Sequence, residues 1–265
     1  MVRSRAWGLL RLSKIGTSCF AFLVVAIPHF VYTEQPWSSV ALAAPFLLIT
    51  MATFVLNDIY DLERDHINHP GRPLPTGAVS PQLAAVTYVA LALGSLISIK
   101  LLIPVGLHFL YLLACFVGVN YNFAVGYLPW VKNPLVGAAS TIPILVVHFA
   151  TEETMASTNL AVATFLFVTG REALMDIRDW AGDGRTLVKF FSVQRASAFA
   201  FALQLAACGV MLPALAAPWQ AYLLAAIALL TVLNGILWRL DASRPISFTI
   251  TTAQILLGLA FVFRP

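Results

Sequence analysis

Nine apolar runs recur along this chain, at 12–31, 38–57, 81–101, 104–125, 133–150, 157–176, 190–212, 217–238 and 246–263. A helix that crosses a bilayer needs about 20 predominantly apolar residues. Lipid offers a bare backbone no hydrogen-bond partner, so such runs must close their N–H and C=O groups on themselves, as helices. The expected fold class is all-α: a polytopic membrane protein with nine transmembrane helices, in a single domain over residues 1–265. Composition agrees. The chain is 60% apolar and 11% charged, against about 25% charged in a soluble domain. Pro28, Pro45, Pro143 and Pro213 lie within the runs or near their ends, where neighbouring helices can satisfy the carbonyls they free. The first run follows Arg3, Arg5, Arg11 and Lys14 without a small-residue cleavage pattern, so it reads as a retained helix.

Charge sets the orientation. With nine spans and a cytoplasmic N-terminus, the even-numbered connections face the cytoplasm and the C-terminus lies on the opposite side. The cytoplasmic side then holds Arg3, Arg5, Arg11, Lys14, Arg64, Arg72, Lys132, Arg171, Arg178, Arg185, Lys189, Arg195, Arg239 and Arg244. Only Lys100 and Arg264 of the 16 basic residues remain outside, as the positive-inside rule requires. Scattered through short connections, these cations form no continuous stripe, so the net charge of +4 does not point to nucleic acid. Cys19, Cys115 and Cys208 each sit in a different apolar run without metal-ligand spacing, and read as small core residues.

Eight of the 12 acids form two groups at the cytoplasmic ends of helices 2 and 6. The first lies in LNDIYDLERDHINHPGRPLPTG. If the helix continues past Asn57, then Asn57, Asp61 and Asp65 share a face, with Asp58 at its edge. Pro70, Gly71, Pro73 and Pro75 then impose a long ordered loop. The second lies in REALMDIRDWAGDGRTL, where Glu172, Asp176, Asp179 and Asp183 also share a face. Like charges concentrated this way near a bilayer need cations. Oxygen donors without histidine or cysteine favour a hard ion, and Mg2+ is the usual choice when diphosphate completes the shell. Metal ions held by both faces would stabilise charge on a leaving diphosphate as an allylic C–O bond breaks. The plainer alternative is two solvated helix ends paired with Arg64, Arg171, Arg178 and Arg185.

These segments resemble the UbiA-type intramembrane prenyltransferase superfamily. Asn57–Asp58–Ile59–Tyr60–Asp61, continued to Asp65, is similar to its first acidic motif, and Asp176–Ile177–Arg178–Asp179, continued to Asp183, to its second. Asn68 to Gly77 resembles the loop between them, Arg11 to Thr17 the start of the first helix, and Tyr121 and Lys132 the tyrosine and lysine between helices 4 and 5. Thr186–Leu187 resembles the segment after the second motif, although Val188 stands where a proline often follows. The resemblance implies a central cavity with a cytoplasmic cap and transfer of a prenyl group from a prenyl diphosphate to an acceptor, aromatic or other, which the sequence does not identify, in contact with membrane lipid. It implies Asn57, Asp61, Asp179 and Asp183 as metal ligands, with Asp58, Asp65 and Asp176 as close partners. Arg72, Lys132 and Arg185 would hold the diphosphate, with Tyr121 beside them.

Other readings stay open at this stage. A terpene cyclase on the same fold would ionise the same substrate and quench the cation within its own chain. A cation-coupled transporter would place its carboxylates nearer the midplane. Glu172 either ligates metal indirectly or pairs with Arg171. Tyr60, Tyr121, Tyr127, Trp130, Phe165 and Phe167 either line a tail tunnel or face lipid. His66 and His69 read as solvated loop residues, and His29, His108 and His148 receive no role.

Overall fold

The computed structural model describes residues 5–127, 129–151, 155–178, 191–215 and 217–239, and among them the chain is helical with no strand. The order is α1 (Arg5–Leu12), α2 (Ile15–Thr33), α3 (Pro36–Tyr60), α4 (Leu62–Asn68), α5 (Pro81–Leu102), α6 (His108–Tyr127), α7 (Pro129–Thr151), α8 (Met155–Arg178), α9 (Val193–Met211) and α10 (Pro218–Arg239). The first eight apolar runs thus each fold as a long helix; the run at 246–263 lies outside the described residues. Among the described residues, five helices are long and apolar enough to cross a membrane: Ile15–Thr33, Pro36–Tyr60, Pro81–Leu102, Val131–Thr151 and Val193–Ala214.

Local sequence accounts for most boundaries. Pro36 and Pro81 open α3 and α5 at positions where the missing N–H is not needed. Ser80 and Ser192 cap α5 and α9 by accepting the N–H groups of Leu83 and Arg195 at 3.2 and 3.3 Å. Pro28, Pro45 and Pro143 sit inside α2, α3 and α7, and Pro213 lies in the 3-10 turn Leu212–Ala214 that follows α9. Two boundaries differ from expectation. The first run is not one helix from residue 12, because α1 ends at Leu12 and Lys14 takes left-handed geometry (φ 45°, ψ 52°) before α2 begins. The second helix runs three residues past Asn57 to Tyr60, leaves helical geometry only at Asp61 (φ −89°, ψ 5°) and resumes as α4.

Two compact units divide the chain after Tyr127. In the first, α3 is central and packs against α2, α5 and α6. The fully buried Tyr111 of α6 donates to the Leu42 carbonyl of α3 at 2.6 Å, and its ring centroid lies 4.7 Å from that of Phe46. Helix α5 buries only Ala84, Ser95 and Ile99, and leaves Val86, Leu93, Ile97 and Leu101 exposed, a surface suited to lipid. In the second unit, α8 packs against both α7 and α9, with α10 on α9. Small residues permit these approaches. A methyl group at Gly137 of α7 would strike the Thr169 hydroxyl of α8, and one at Gly170 of α8 would lie 2.5 Å from the Ala200 carbonyl of α9.

Candidate active site

The first acidic cluster is built where α1, α2, α3, α4 and the loop 69–80 converge. Near-continuous backbone bonding carries the acidic face across the break: Asp61 N–H donates to Asn57, Asp65 to Asp61 and His69 to Asp65, at 2.8–2.9 Å. The loop then folds back under this face. Leu74 and Val79 join Leu12, Val55 and Ala84 in one apolar cluster, Arg11 donates to the Gly71 carbonyl at 3.0 Å, and Gly77 supplies a positive φ of 70° for the turn. This packing delivers the Arg72 guanidinium to two buried carboxylates, 2.6 Å from Asp65 and 3.3 Å from Asp58.

Lys14 approaches from the other side. Its ammonium lies 3.5 Å from the Asp58 carboxylate and 4.5 Å from the centroid of the Phe54 ring. Burial lowers its pKa below the ordinary lysine value, opposed by the charge of Asp58. Asp58 is only 2% exposed, so two cations share one desolvated carboxylate. Asp61 differs. It accepts from the Asn57 amide nitrogen at 2.9 Å and from the more exposed Arg64 at 3.2 Å.

The second cluster stands on α7 and α8. Asp176 is buried and fully engaged: Lys132 donates to Oδ1 at 2.5 Å and the neighbouring Asn133 amide nitrogen to Oδ2 at 3.0 Å. Asn133 is 1% exposed, and its own Oδ1 has no hydrogen-bond partner. Glu172 pairs with Arg171 at 2.6 Å, the second of the two roles open to it. Asp179, Asp183, Arg185 and Lys189 lie outside the described residues. Tyr121 is half-buried on α6, Tyr60 is 65% exposed and Phe167 is buried in the apolar core of the second unit. His66 is solvent-exposed as expected but lies in α4, not in the loop, with its ring nitrogen 2.8 Å from the Leu62 carbonyl.

Among the described residues, no three carboxylate, imidazole or thiol groups converge as a metal site; the buried acids face cations instead. Two members of these clusters, Lys14 and Asn133, have no place in the spacing argument. Lys14 stands within the segment Arg11 to Thr17, yet its role depends on a carboxylate 44 residues away. Asn133 follows Lys132 directly and bonds to Asp176, 43 residues on.

Such a molecule, an all-helical membrane protein with paired acid–base clusters beside its helix ends, belongs to a definable class. The profile of the UbiA prenyltransferase family matches residues 15–261. A digeranylgeranylglyceryl phosphate synthase of Methanoculleus marisnigri is 31% identical over 245 residues, which is 89% of this chain and 88% of that protein. A solved structure concerning digeranylgeranylglyceryl phosphate synthase in membranes has the same fold, with a TM-score of 0.75 over 97% of both chains at 20% identity. So does a UbiA homolog from Archaeoglobus fulgidus bound to GPP and Mg2+, with a TM-score of 0.64 over 96% of both chains at 16% identity. The chain belongs to the UbiA prenyltransferase family.

Proposed function

We propose that this protein transfers an isoprenyl group from an allylic prenyl diphosphate to the hydroxyl of a lipid-borne glyceryl phosphate, with Mg2+ assisting the departure of diphosphate. The observation that carries the reading is that both acidic motifs stand intact in a chain that belongs to this family over residues 15–261. The acceptor class is drawn from the relatives' name, and the metal from the homolog bound to GPP and Mg2+. The proposal includes nine spans, a cytoplasmic N-terminus, the C-terminus on the opposite side and a cavity capped on the cytoplasmic side. The distribution of basic residues supports that topology.

The donor set fits a hard cation. Asn57 commits its amide nitrogen to Asp61 and keeps a carbonyl oxygen for a metal, and the Asn133 carbonyl oxygen is buried without a partner. Asn57, Asp61, Asp179 and Asp183 are assigned as metal ligands, with Asp58, Asp65 and Asp176 beside them. When bound, Mg2+ neutralises charge on the diphosphate leaving group. Arg72 and Lys132 now rest on carboxylates, and both present donors suited to phosphate oxygens; Arg185 is assigned the same task. As the C–O bond breaks, its electron pair goes to the diphosphate, the acceptor oxygen bonds to the allylic carbon, and the acceptor's proton passes to the departing diphosphate.

Mass spectrometry of products from geranylgeranyl diphosphate, with and without glyceryl phosphate lipids and aromatic acceptors, tests the reading. A prenyl ether of the glyceryl phosphate is expected. An aromatic product would overturn the acceptor assignment, and a cyclic hydrocarbon in the acceptor-free tube would replace transfer by cyclisation.

A further inference from the structure

We propose that the carbonyl oxygen of Asn133 is a metal-ligating atom, the second cluster's counterpart of Asn57. The inference deepens the proposed function and rests on it. Each asparagine donates its amide nitrogen to a carboxylate of its own cluster, Asn57 to Asp61 at 2.9 Å and Asn133 to Asp176 at 3.0 Å. An amide so used is fixed in orientation, because its nitrogen can only donate and its oxygen can only accept. At Asn133 the result is a buried acceptor with nothing to accept from. Buried acceptors of this kind are uncommon in folded proteins and ask for an explanation.

The surroundings narrow the missing partner. Lys132 and the Asn133 nitrogen already occupy the two oxygens of Asp176. A phosphate oxygen is an acceptor and cannot satisfy another acceptor. A divalent cation can, and an amide carbonyl is an ordinary oxygen ligand for one. Lys132 is the group that must give way. Once its ammonium turns to the diphosphate, Asp176 loses its counter-charge, and a metal beside Asn133 restores it. The same asparagine would therefore orient the carboxylate before loading and coordinate the metal afterwards.

The test is Mn2+ binding to the purified full chain, followed by electron paramagnetic resonance in the presence of geranyl diphosphate, with thermal unfolding of the metal-free protein alongside. Asn133→Leu removes the oxygen, and Mn2+ affinity should fall by about 10–100-fold, the usual loss when a metal site is stripped of one supporting group. Asn133→Asp keeps an oxygen at that point and should bind Mn2+ at least as tightly as the wild type, even though its metal-free form melts lower. Wild-type Mn2+ affinity in Asn133→Leu would overturn the inference alone. Should that variant fail to fold, weakened Mn2+ binding by Asn133→Asp would overturn it equally. A wild-type protein that takes up no Mn2+ with geranyl diphosphate would overturn the proposed function as well.

Discussion

The two acidic clusters balance buried charge in different ways. In the first, Asp58 and Asp65 are served by Arg72 from a loop and Lys14 from the elbow between α1 and α2, so Asp58 has two cations. In the second, Asp176 relies on one lysine and one amide, adjacent on α7. Among the described residues, the first arrangement is redundant at Asp58 and the second gives Asp176 a single counter-charge. Both replace the image of acidic helix ends bathed in water. Arg64–Asp61 and Arg171–Glu172 are pairs of that local kind, but the buried acids reach cations distant in sequence. Held this way, the carboxylates are oriented by partners within the chain, and on the proposed function the binding of a metal–diphosphate complex would be an exchange of partners.

The largest expected stability effect separates the two designs. Lys132→Ala strands the Asp176 carboxylate with only the Asn133 donor, and should destabilise the metal-free protein by about 3–5 kcal/mol, the usual result of breaking a buried pair from one side. Chemical denaturation in detergent reads this, and adding Asp176→Asn to the variant should recover part of the loss. Packing comes next. Gly170→Val in the second unit drives side-chain atoms into the Ala200 carbonyl and should lower stability by about 1–3 kcal/mol, whereas Leu93→Ala on the exposed face of α5 should change the thermal midpoint little. A smaller effect is expected at Lys14. Glycine there relieves a left-handed residue at about 1–2 kcal/mol and gives up an ion pair with the buried Asp58, which Arg72 still holds. The net loss should stay well below that of Lys132→Ala. A Lys14→Gly loss as large as that of Lys132→Ala would break the claim of redundancy.

Helix positions were legible wherever a single physical rule dominates. The apolar stretch at 81–101 became Pro81–Leu102, and 217–238 became Pro218–Arg239, because desolvation of the backbone leaves little choice. The shared face of Asn57, Asp61 and Asp65 followed from a four-residue spacing and survived a one-residue break. Lys14 shows where such rules stop. Nothing between Arg11 and Thr17 forbids helix, and the left-handed turn is intelligible only once Asp58 stands opposite. Asn133 is similar: one more polar residue after Lys132 until Asp176 faces it. Period and composition reveal which residues share a face, but the pairing of charges across helices is set by tertiary packing.

The proposed function requires Mg2+ and the carboxylates of both acidic motifs for the loss of diphosphate. Its most direct test is the rate of diphosphate release from geranylgeranyl diphosphate by the purified protein as Mg2+ is titrated, in the wild type, Asp61→Ala and Asp183→Ala. Release should require Mg2+ and fall by about 100-fold or more in each variant. Metal-independent release, or wild-type rates in both variants, would contradict the account.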